Sequence, residues 1–131
     1  MTFKPTQDWA EKLCREITGN KRAPQELSIV AVEVPDELGY GPTMTLYFKF
    51  DERGRCISSQ IIRGERPAKY MLSGRYEDLI QILEGRLSPF AAVPLGKLHV
   101  MRGSLGELAE YMPLALEIVE AARRISSRQH Q

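Results

Sequence analysis

A chain of 131 residues is long enough for one domain with a real core, and 43% hydrophobic against 27% charged residues is ordinary globular usage. Eighteen basic side chains against 17 acidic ones leave a net charge of +1, too weak a field to gather nucleic acid or an anionic membrane surface. No apolar run is long enough to span a bilayer, so the sequence predicts neither nucleic-acid binding nor stable membrane insertion.

The first element is an amphipathic helix over residues 6–19. Thr6 is a good N-cap, Asp8 sits in the first turn, Gly19 is a stop, and Trp9, Leu13 and Ile17 recur every four residues. "MTFKPTQDWAEKLCREITG" has neither the basic start nor the apolar run of a secretory signal. Cys14 and Cys56 have no metal-ligand spacing and no disulfide framework. They read as small buried hydrophobes in a reduced cytoplasm, and a cytoplasmic location is the expectation.

Four strand-like runs follow. Residues 27–34 ("LSIVAVEV") are apolar on nearly both faces, as in an internal strand. Residues 43–51 alternate, sending Met44, Leu46, Phe48 and Phe50 one way, under a helix layer. "DERGR" turns into residues 55–63, and "GERP" turns into a fourth run over 67–72. Connections this short predict antiparallel neighbours in a meander. The period then changes to 3.6. Tyr76, Leu79, Ile80 and Leu83 share a helical face that ends at Gly85. Ser88-Pro89 opens a short helical turn that Pro94 closes, and residues 97–102 make a fifth strand. Ser104 and Glu107 form a capping box for a helix carrying Leu105, Leu108 and Met112, which Pro113 should break or kink. A last helix over about residues 114–125 carries Leu114, Ile118, Ala121 and Ile125, and residues 126–131 are expected to fray. The predicted fold is α+β, a five-stranded, mostly antiparallel sheet with helices packed over one face.

The stretch "GRLSPFAAVPLGKLHVMRGSLG", residues 85–106, mixes four glycines and two prolines with apolar side chains. Its pattern Gly85-x-Leu87-x-Pro89-x-x-Ala92, then Gly96-Lys97-Leu98-x-Val100, resembles the sterol carrier protein 2 family. The preceding helix "YEDLIQILEGR" and the order of the other elements fit the same family over nearly the whole chain. Two features differ: the interval from Gly96 to Gly103 is one residue longer than usual, and the chain ends in "RQHQ" instead of a peroxisomal Ser-Lys-Leu. The resemblance implies a single lipid-binding domain over residues 1–131, with an apolar tunnel between sheet and helices that takes a fatty acid, fatty acyl-CoA or sterol-like lipid. The implied lipid-binding residues are Phe48, Phe90, Val93, Leu98, Val100, Leu105, Leu108, Met112 and Leu116. Binding and presentation or transfer would be non-catalytic, with no cofactor and no metal. The alternatives are an accessory module that recruits a partner enzyme, or a small α+β enzyme with an apolar pocket.

Residues that often carry chemistry have plainer readings here. His99 alternates outward with Lys97 and has no nucleophile near it in sequence, and His130 lies in the tail. Ser58-Ser59 lacks a nucleophile elbow, "RGSLGEL" lacks the lysine of a phosphate loop, and the pairs Asp36-Glu37 and Glu77-Asp78 face solvent by pattern. Arg86, Lys97, His99 and Arg102 form a mild basic patch, read as a solvated face or as a dock for a lipid headgroup, a coenzyme A phosphate or a partner.

Overall fold

The computed structural model describes residues 5–129. The chain runs α1 (Gln7–Glu16), β1 (Glu26–Val32), a 3₁₀ turn (Asp36–Leu38), β2 (Met44–Phe50), β3 (Cys56–Arg63), β4 (Tyr70–Arg75), α2 (Tyr76–Leu83), α3 (Pro89–Ala92), β5 (His99–Arg102), α4 (Leu105–Glu110) and α5 (Met112–Gln129). Each short polar cap acts where the sequence placed it. Thr6 accepts from Trp9 N–H at 3.1 Å, Ser88 from Phe90 N–H at 3.2 Å and Ser104 from Glu107 N–H at 3.1 Å, which satisfies otherwise orphaned helical donors. α1 stops at Glu16, short of residue 19, and α5 continues to Gln129 through the tail expected to fray from residue 126. His130 lies outside the described residues.

The sheet order is β3-β2-β1-β4-β5. β1, β2 and β3 form the expected antiparallel meander, but β4 does not extend it. Instead β4 pairs with β1 in parallel, Leu27 beside Tyr70 and Ile29 beside Leu72. Residues 64–69 therefore cross the sheet's outer face. Three strand spacings need roughly 15 Å, and an extended six-residue link reaches about 20 Å, so a short connection suffices. The crossing is held by side chains of the face beneath it. Thr45 donates to the Gly64 carbonyl at 2.7 Å and accepts from Arg66 N–H at 3.0 Å, Ser28 donates to the Arg66 carbonyl at 2.5 Å, and the Arg66 guanidinium lies 4.6 Å over the Tyr47 ring. Two small hydroxyls inside strands thus seat the link that a meander would not need.

On the inner face Met44, Leu46, Phe48 and Phe50 are all buried in the helix-side core, as their alternation requires. Burial of that row is the main stabilising term of the layer, at about 25 cal/mol per Å² of apolar surface. α1 lies against the edge strand β3, and here the structure corrects the reading of the cysteines: Cys14 and Cys56 are joined in a disulfide, with Cα atoms 5.3 Å apart. Their spacing of 42 residues carries no motif. Only the packing of α1 on the start of β3 brings them together. Gln7 reinforces the same seam by acting as a partner for the strand edge, donating to the Ser59 carbonyl at 3.1 Å and accepting from Ile61 N–H at 2.9 Å.

Candidate functional site: an apolar cavity between sheet and helices

The inner face of β1 is where the packing is incomplete. Leu27 and Ala31 are buried, yet Ile29 between them is only half-buried although it sits in the middle strand and points at the helices. The missing neighbour is a cavity of about 110 Å³. Its floor is formed by β1, β2 and β4 through residues such as Ile29, Leu46 and Leu72. Its roof is α2 and α5 through Leu79, Leu83, Leu114 and Ile118, and Trp9 of α1 with Leu108 and Tyr111 at α4 also line it.

α4 is the lightest part of this wall. It has six residues, and only Leu108 among them is buried. Tyr111, which caps α4, meets Tyr70 edge-on at 5.3 Å between ring centroids, and the Tyr70 hydroxyl donates to the Ser104 carbonyl at 3.3 Å. Gly103 makes room for that contact: it has φ +96°, and a Cβ there would strike the Tyr70 ring at 2.4 Å. This is what one glycine of the punctuated stretch does. An exposed Arg22–Glu110 pair at 3.4 Å ties α4 to the segment after α1, but such a pair contributes little.

Three tyrosines, Tyr70, Tyr76 and Tyr111, contribute to the cavity lining. Burial pushes Tyr70 up to about 12, with the negative charge of Glu107 adding to it. Burial also raises Tyr76 and Tyr111, each with a nearby glutamate as a lesser cause. A phenol whose folded pKa lies above its unfolded value of about 10 binds its proton more tightly in the folded state. Stability is therefore complete below pH 10 and is lost as pH rises from 10 toward 12. Tyrosinate absorbance at 295 nm should rise together with loss of near-ultraviolet circular dichroism; a tyrosinate signal that is complete before any unfolding would contradict this burial.

Of the nine residues that the family resemblance marked for lipid contact, Leu98 and Leu108 line the cavity. Phe48 is fully buried beside it, stacked on Phe50 with centroids 5.5 Å apart. Phe90, Val93 and Val100 are half-buried and pack against the core. Leu105, Met112 and Leu116 face outward, at 60%, 40% and 48% exposed. For Met112 and Leu116 the reason is the break between helices. The spacing Leu105-Leu108-Met112 supposes one continuous helix, whereas α4 ends at Glu110 and α5 begins at Met112. In α5 the inward row is Leu114, Ile118, Ala121 and Ile125, and residues two positions from Leu114 point about 160° away from it. Met112→Ala is therefore expected to leave chain-length preference for a fluorescent fatty acid unchanged. Ile29, Leu72 and the α2 face were missed as cavity residues because a cavity wall and a filled core have the same composition. His99 and Arg102 of the basic patch are exposed on β5, and the cavity lining includes neither.

The fold has counterparts among solved structures. A crystal structure of sterol carrier protein 2 matches it with a TM-score of 0.78 at 25% identity, over 90% of this chain and 95% of its own. The solution structure of a conserved hypothetical protein of Thermus thermophilus also gives 0.78, at 24% identity over 92% of this chain and 87% of its own. Sterol carrier protein domain 2 of Helicoverpa armigera is a looser match, with a TM-score of 0.52 at 18% identity, over 82% of this chain and 74% of its own. No protein-family model and no curated protein matches the sequence. The chain carries a sterol carrier protein 2-like α+β domain. Among its described residues no helix is long and apolar enough to cross a membrane.

Proposed function

We propose that the chain acts as one non-catalytic lipid-binding unit, holding the apolar part of a fatty acid, fatty acyl group or sterol-like molecule between sheet and helices. The observation that carries this reading is the half-buried Ile29 in the middle strand, facing an apolar cavity between sheet and helices. The side chains around it are aliphatic or aromatic, with methionine and proline, so its walls offer apolar contact in place of acid–base groups. The likeness to sterol carrier protein 2 supports the same reading.

The void of about 110 Å³ is smaller than the roughly 300–1,000 Å³ of typical ligand sites. A long chain therefore enters by displacing wall, and α4, anchored by Leu108 and the Tyr111 contact, is the wall that gives. Each methylene taken from water contributes about 0.8 kcal/mol, so affinity should rise with chain length until the expanded volume is full.

Trp9 is the only tryptophan of the chain and forms part of the cavity wall. A fatty acid carrying two bromines in mid-chain should quench its emission saturably and be displaced by the unbrominated acid. Absence of quenching at micromolar acid, with the protein folded, would sink the proposal. His99→Ala should leave this titration within a few-fold of the parent. The outward apolar side chains Leu105, Met112 and Leu116 favour a second reading, a face that meets a partner enzyme to which the lipid is presented.

A further inference from the structure

The wall of the cavity at α1 is attached to β3 covalently as well as by packing and hydrogen bonds. Trp9, Leu13 and Ile17 already bury the inner face of α1, and Gln7 and the Ser59 hydroxyl, which donates to the Ala10 carbonyl at 2.6 Å, already bind it to β3. The Cys14–Cys56 bond joins the same two elements again, beyond the helix segment that carries Trp9. Both cysteines are largely buried, at 9% exposed, and border a surface groove lined also by Glu11 and Arg15 of α1 and by Ser58 and Gln60 of β3.

We propose that this disulfide is a redox-sensitive clamp on the α1 wall: oxidised, it fixes Trp9 against the cavity, and reduced, it lets α1 shift and admits solutes. The reductant is a dithiol. One of its thiolates attacks a sulfur of the pair, forming a mixed disulfide and releasing the other cysteine as a thiolate, which takes up a proton. The second thiol of the reductant then displaces the first cysteine, so the protein gains two thiols as the dithiol becomes a disulfide. The Cys56 sulfur lies 3.5 Å from the Ser58 carbonyl, an acceptor for the new thiol. Consequences for lipid exchange rest on the lipid-binding reading; the motion of α1 does not.

The two are separated by using acrylamide, a small neutral quencher, on Trp9. Oxidised protein and protein reduced with dithiothreitol would be compared, with alkylation and intact mass counting the free thiols. Reduction is expected to raise the quenching constant roughly threefold and to speed hydrogen exchange in residues 7–16 by about tenfold or more, with far-ultraviolet circular dichroism retained. Cys56→Ser, open without any reductant, should match the reduced protein in both. Unchanged quenching and exchange after two thiols are counted would overturn the clamp. So would two alkylatable thiols in protein kept under oxidising conditions, or unfolding on reduction, which would make the bond a staple of the fold. If acrylamide access changes but the dibrominated acid binds neither form, the clamp stands and the lipid-binding reading fails.

Discussion

A glutamate in place of Leu108 is expected to lower affinity for a long-chain fatty acid by about two orders of magnitude or more. Leu108 is 5% exposed and lines the cavity. A carboxylate there has no cation facing it across the apolar lining, so a bound acyl chain would strip its water without supplying a partner. Displacing that water is the step that binding requires. Because Leu108 is the sole buried residue of α4, the rest of the core should survive, and circular dichroism and the melting curve report on that directly. Leu105→Glu, three residues earlier at a 60% exposed position, is the matched control and should bind as the parent does. Lowering pH should restore part of the binding to Leu108→Glu, since burial raises a carboxyl pKa and the protonated form carries no charge. Equal binding by both variants at neutral pH would place the lipid outside this cavity.

The second large effect concerns stability. Cys14→Ser combined with Cys56→Ser should lose about 4 kcal/mol at 25 °C by the chain-entropy account of a cross-link with a separation of 42 residues. A domain of this size has roughly 7–20 kcal/mol to lose, so the variant should still fold. Urea denaturation with and without dithiothreitol measures the difference: the parent should shift on reduction by the same amount, and the double variant should not shift at all. A parent curve indifferent to reductant would mean that the bond does not form in solution.

Much of the architecture could be read from local rules because local rules cause it. Thr6, Ser88 and Ser104 are caps by virtue of a short side-chain oxygen next to orphaned N–H groups, and Met44 to Phe50 alternate because a strand puts alternate residues on one face. What stayed hidden depends on pairs distant in sequence. Turn length after Arg63 allows either an antiparallel neighbour or a crossing to the far side of β1, and nothing in "GERP" decides between them. Ser28 and Thr45 hold the crossing segment, and their hydroxyls only acquire meaning once it is above them. Cys14 and Cys56 are likewise joined by tertiary placement, not by spacing. The cavity is hardest of all to read. Ile29 differs from Leu27 in what is missing beside it, and absence of a neighbour leaves no mark in a sequence.

The parallel pairing of β1 with β4 also sets a schedule for synthesis on the ribosome. α1 and the β1-β2-β3 meander are all present once residue 63 has emerged, and the cysteine pair lies within that portion. Until residues 70–75 follow, β1 is an edge: its backbone donors and acceptors on the β4 side, and the apolar Leu27, Ile29 and Ala31 beside them, have no partner strand. The strand that is most central in the finished sheet is thus the most adhesive surface of the nascent chain. A halt after residue 63 has emerged but before residues 70–75 have done so would prolong that exposure, whereas a halt once residue 75 has emerged would come when β4 can already enclose β1 on its second side.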